Sequence, residues 1–65
     1  MKTKNKEAFL ANSVVTQRVI ELYEAVPNAL AMEVRMMERN PEDRDNKMLL
    51  PYYKKALELL RTKAA

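Results

Sequence analysis

A chain of 65 residues, with 12 Lys and Arg against nine Asp and Glu for a net charge of +3, makes one domain. At this size folding hides only about 60% of the unfolded surface, so a lone core is marginal. The absence of cysteine, histidine and glycine excludes disulfides, thiolate and imidazole metal ligands, thiol nucleophiles and imidazole bases. Ser13 has no triad partner, so the chain reads as a non-enzyme with no metal and no cofactor, and self-association is the support left to so small a domain.

Without glycine and with few β-branched residues, tight hairpins are disfavoured and the chain is expected to be all-α. Pro27, Asn40-Pro41 and Pro51 divide it into three helical segments that follow a basic leader. That leader, residues 1–12 with Lys2, Lys4 and Lys6, is expected to be a mobile tail, and residues 13–65 to form the three-helix domain. No stretch nears the roughly 20 apolar residues of a membrane span, and no apolar region follows the basic start as in a signal peptide. The expectation is a soluble, intracellular chain.

The first segment, residues 13–25, carries Val15, Val19, Leu22, Tyr23 and Val26 as one apolar stripe, capped by Asn12 or Ser13. Arg18, Glu21 and Glu24 fall on the opposite side. The second, residues 28–39 with Asn28 as cap, has two stripes. Leu30, Val34 and Met37 make one; Ala29, Met32 and Met36 make the other. Either the second stripe is an association surface, for which methionine is well suited, or both pack inside one bent core.

Residues 40–46 read as a polar loop. Its Glu42-Asp43-Arg44-Asp45 cluster lacks the glycine that a calcium-binding loop needs and is expected to be solvated. Met48-Leu49-Leu50 then tucks the chain back, and Pro51 is expected to open the third helix. Tyr53, Ala56, Leu57, Leu60 and Ala64 form its stripe, widened by Tyr52 and Leu59, while Lys54, Lys55, Glu58 and Arg61 face away. Lys54 and Glu58 at i, i+4 suit a simple ion pair on a solvated face.

Charge is unevenly placed: +3 over residues 1–6, −4 over 7–45 and +4 over 46–65. Basic ends suit a polyanion, nucleic acid being the commonest. Lysine is a point charge for phosphate rather than a fork for guanine edges, so contact with the DNA backbone, indifferent to sequence and sensitive to salt, is expected. The candidate contacts are Lys47, Lys54, Lys55, Arg61 and Lys63. Arg35 and Arg39, on the edge of the second helix, either join them, bridge dimers or pair with Glu33 or Glu38. Tyr52 and Tyr53 fit the core better than base stacking. The candidate dimer interface is Ala29, Met32 and Met36 with Tyr52 and Leu59.

Three short helices with a basic last one match a homeodomain in outline, although the eight or so polar residues before the third helix exceed the three or four of a helix-turn-helix. The run Thr16-Gln17-Arg18-Val19-Ile20-Glu21-Leu22-Tyr23-Glu24-Ala25-Val26-Pro27-Asn28-Ala29-Leu30-Ala31-Met32, with Leu49-Leu50-Pro51-Tyr52-Tyr53-Lys54-Lys55-Ala56-Leu57 beyond the loop, resembles the C-terminal domain of the membrane-associated replication-organising protein of phi29-like Bacillus phages. The likeness covers residues 13–63 and rests on pattern and helix layout.

The resemblance implies a homeodomain-like protomer that pairs into a six-helix homodimer. It also implies binding of single- and double-stranded DNA without sequence preference, multimerisation on DNA, and a role in phage DNA replication alongside a phage replication protein in the host cytoplasm. In that family an N-terminal transmembrane segment and coiled coil precede the domain. Neither is present in these residues, so an excised domain or a relative lacking the anchor is expected, without direct membrane contact. A competing expectation is a small helical dimer that binds a partner helix along Met32 and Met36. A third, an amphipathic helix lying on a membrane surface, is disfavoured by Glu58 and the lack of Trp.

Overall fold

The computed structural model describes residues 8–64, and all its regular structure is helical. The expected mobile tail at residues 1–7, Ala65 and the Ala64 side chain lie outside the described residues. A short helix, α1, covers residues 8–12, which the sequence reading gave to the leader. It is followed by α2, Val14–Tyr23; α3, Pro27–Arg39; and α4, Arg44–Ala64.

Capping explains most of the boundaries. The Ser13 hydroxyl oxygen accepts from the Val15 amide at 3.2 Å and starts α2. After Tyr23 the chain turns, with the Val26 amide donating to the Tyr23 carbonyl at 2.9 Å. The cap of α3 is Val26 rather than Asn28, because Pro27 takes the first helical position, where its missing N–H and preset φ cost nothing. Asn40 closes α3 twice over. Its amide donates to the Met37 carbonyl at 3.2 Å, and its side chain donates to the Met36 carbonyl at 3.1 Å.

The largest departure from expectation is at the last helix, which opens at Arg44 and not at Pro51. Asp43 is the reason: its carboxylate accepts from the amides of Asp45 at 2.9 Å and Asn46 at 3.2 Å, as an N-cap does. The expected loop over residues 40–46 therefore shrinks to residues 40–43. Pro51 sits inside the helix and removes the amide that would bond the Lys47 carbonyl. Both residues are exposed, so water can take that place.

The core is made where α4 crosses α2 and α3, which scarcely touch each other. Val19, Leu30, Val34, Ala56, Leu57 and Leu60 are buried together, with Ile20, Tyr23, Ala31, Leu50 and Tyr53 packed against them. The α3 stripe of Leu30, Val34 and Met37 is buried as its spacing implies. In α2 the inward stripe is Thr16, Val19, Ile20 and Tyr23, whereas Leu22 and Val26, expected in the core, are 71% and 52% exposed. Leu22 lies about 100° round α2 from the centre of that stripe, and Val26 stands in the turn that follows Tyr23. Burial, then the Glu33 carboxylate, then Tyr53 push the Tyr23 hydroxyl above its ordinary pKa, which keeps it neutral.

One polar group is stranded in this core. Thr16 has no exposed surface, and its hydroxyl oxygen has no hydrogen-bond partner. A buried, unpaired hydroxyl costs about 1–3 kcal/mol, so Thr16→Val, which keeps the shape and removes the oxygen, is expected to raise stability by about 1 kcal/mol and Tm by about 4–8 °C. Thermal unfolding followed by circular dichroism checks this; an unchanged or lower Tm would mean that the hydroxyl finds a partner.

Candidate nucleic-acid interface

The outward face of α4 holds most of the expected DNA contacts, and helix geometry lines them up. Lys47, Lys54 and Arg61 recur every seven residues, so at 100° per residue they drift only about 20° per step and form one ridge about 21 Å long. All three are exposed, as is Lys63 in the last turn. Arg44 lies farther round the first turn, also exposed. Over its length α4 carries six basic residues and two acidic ones, a bias that sequence alone made visible.

The tertiary structure changes which of these charges are available. Lys54 Nζ lies 2.9 Å from a carboxylate oxygen of Glu38 on α3, and Lys55 Nζ lies 2.7 Å from Glu58 Oε1. The expected Lys54–Glu58 pair is therefore not the one formed, because α3 brings Glu38 to Lys54 and leaves Glu58 to Lys55. Lys55 is also the less accessible lysine, its side chain only 13% exposed against 54% for Lys54. Such surface pairs contribute about 0.2–1 kcal/mol each, small for stability yet enough to discount both lysines as phosphate contacts.

Lys47, Arg61 and Lys63 have no carboxylate within ion-pair distance among the described residues, and the same is true of Arg35 and Arg39. The pairing of Arg35 or Arg39 with Glu33 or Glu38 does not form among the described residues; Glu38 pairs with Lys54 instead. Beside the ridge runs an open groove of about 770 Å³ with Leu10, Met37, Leu50 and Pro51 among its walls. Lys47, Lys54 and Lys55 share it with Glu38 and Glu58, and those two carboxylates make the groove a poor track for phosphate. The ridge is the better one.

The residues expected at a dimer interface are divided. Ala29, Met32 and Met36 lie together on the outward face of α3, with Met32 64% and Met36 58% exposed. Tyr52 and Leu59 are half-buried on α4. They sit about 140–160° round that helix from Lys54, hence on the flank turned from α3, and do not join the methionines. Tyr53 packs against the core, as expected.

Among the described residues no group of carboxylates is placed to hold a metal ion, and no helix is long and apolar enough to cross a membrane. Family models, curated proteins and solved structures were compared with this chain and none matches it, so its function has to be read from the charge ridge of α4 and the uncovered face of α3.

Proposed function

We propose that the protein is a non-catalytic DNA-binding domain that grips the phosphate backbone of single- and double-stranded DNA without reading sequence. We further propose that it acts as a homodimer and in higher multimers on DNA, organising phage DNA replication as in the domain it resembles. The observation that carries the reading is the row of exposed cations along α4, in which Lys47, Arg61 and Lys63 have no carboxylate partner among the described residues. A row of unforked or flexible cations along one helix meets successive phosphates and has little means of distinguishing base edges.

The four-residue connection over residues 40–43 supports a homeodomain-like protomer, since it falls within the length of a helix-turn-helix turn. Few cations per protomer give weak binding. Useful affinity then requires several protomers side by side, which is the use proposed for the exposed methionine face.

The test is a fluorescence-anisotropy titration of two unrelated DNA sequences, each single- and double-stranded, at about 50 and 200 mM salt. Equal affinity for both sequences, cooperative isotherms and a loss of at least about tenfold between the two salt concentrations are expected. Sequence preference above about tenfold would overturn the non-specific mechanism. No binding at the lower salt would overturn the DNA function and leave the second reading, a helical interaction module, which the exposure of Met32 and Met36 favours.

A further inference from the structure

Among the described residues nothing covers the outward face of α3. Met32 and Met36 are flanked by Arg35 and Arg39, all exposed. Of the two carboxylates of the helix, Glu38 is paired with Lys54 and Glu33 is half-buried. The apolar strip continues over the α2–α3 corner through Val26 and Leu22, 52% and 71% exposed. There the charge reverses: Glu21 and Glu24 are exposed and have no cation within ion-pair distance among the described residues. The strip therefore ends in Arg39 on one side and in Glu21 and Glu24 on the other, with the apolar residues and Arg35 between them.

A surface with that order is complementary to itself when turned end for end. A two-fold contact requires the same patch on both copies, and a parallel pairing of α3 helices would set Arg39 beside its own equivalent. An antiparallel pairing centred between Met32 and Met36 takes the two Arg39 side chains about 15 Å apart along the helices, while Arg35, one residue from that centre, stays near its equivalent at the edge of the contact. We propose that the occupant of this face is a second copy of the chain, docked α3 against α3 in antiparallel register about a two-fold axis between Met32 and Met36.

At 1.5 Å per residue Arg39 then stands about 8 Å from the axis, level with the partner's Ala29 and within an arginine's reach of the corner that carries the partner's Glu24. The methionines fill the centre and the Arg39–Glu24 pairs form the rim, a charge arrangement that sets orientation more than affinity. This assignment moves Arg39 from DNA contact to assembly. It rests on the dimer part of the proposed function and names the surface that makes it.

The experiment is sedimentation equilibrium of the full chain at low salt over roughly 1–100 µM protomer, for the parent, Arg39→Glu, Glu24→Arg and the double variant. Both sites, Arg39 and Glu24, are exposed surface positions, and circular dichroism verifies that each variant remains helical. Each single change is expected to raise the dimer Kd by about tenfold or more, through like charges at both rims. The double variant is expected to recover. An equimolar mixture of the two single variants should form a heterodimer tighter than either homodimer, because both rims then match.

Single variants that dimerise like the parent, or a mixture that shows no recovery, would overturn this pairing and leave a dimer built elsewhere. A parent that stays monomeric throughout would overturn the dimer itself, while the DNA titration separately decides the DNA-binding half. Arg39→Glu that weakens DNA binding with dimerisation unchanged would return this face to DNA.

Discussion

Leu30→Ala is expected to leave the domain largely unfolded at 25 °C. Leu30 has no exposed surface and lies in the one cluster that α2, α3 and α4 build together. Removing a fully buried leucine costs about 2–5 kcal/mol, of which part is the cavity left behind. A single core of this size seldom supplies more than about 3–5 kcal/mol in total, so the loss is comparable with the whole stability. The slab-like shape, 29 × 29 × 18 Å, is only about two helix diameters thick and offers no second layer to collapse into the gap. Urea unfolding followed by far-ultraviolet circular dichroism checks it. A variant with a cooperative transition close to the parent's would show that the core is held elsewhere.

Removal of Lys47, Arg61 and Lys63 together is expected to weaken DNA binding by more than about tenfold at 50 mM salt and to flatten the dependence of log Kd on log salt by about 2–3. The paired lysines are expected to matter less. Lys54 must leave Glu38 and Lys55 must leave Glu58 before either meets a phosphate, so Lys54→Ala with Lys55→Ala should cost only a few-fold and lower the slope by less than about 1. Fluorescence anisotropy across a salt series measures both. Equal losses for the two sets, or a larger loss for Lys54 and Lys55, would show that DNA displaces the carboxylates, and the groove beside the ridge would then become the binding track.

The contrast between these lysines shows where sequence reasoning reached and where it stopped. Helical spacing identified the outward face of α4, because a residue's place on a helix depends only on its number. It could not reveal that Glu38, sixteen positions before Lys54, would reach across from α3. The α3 stripe of Leu30, Val34 and Met37 was legible for the same local reason. The α2 stripe is centred on Thr16, Val19, Ile20 and Tyr23, which leaves Leu22 outside; spacing alone does not choose between these neighbouring faces, and Val26 stands beyond the helix in the turn after Tyr23.

Pro51 marks a similar boundary. As a lone residue it signals a helix start, yet Asp43 offers a good cap and Asn46 and Lys47 continue the helix from there. The signal was present in the Asp43 side chain, whose carboxylate bonds two amides at the start of α4. It was masked by a reading of the acidic run as solvated loop.

By itself the sequence determined that this protein is helical, that it lacks thiol and imidazole chemistry, and that its basic charge gathers on its last helix, because composition and periodicity are local properties of the chain. Only the tertiary structure decided which cations remain unpaired, which apolar residues stay outside and how short the α3–α4 turn is. Those outcomes depend on which residues distant in sequence come within a side chain's length of one another, and spacing along one helix carries no record of that.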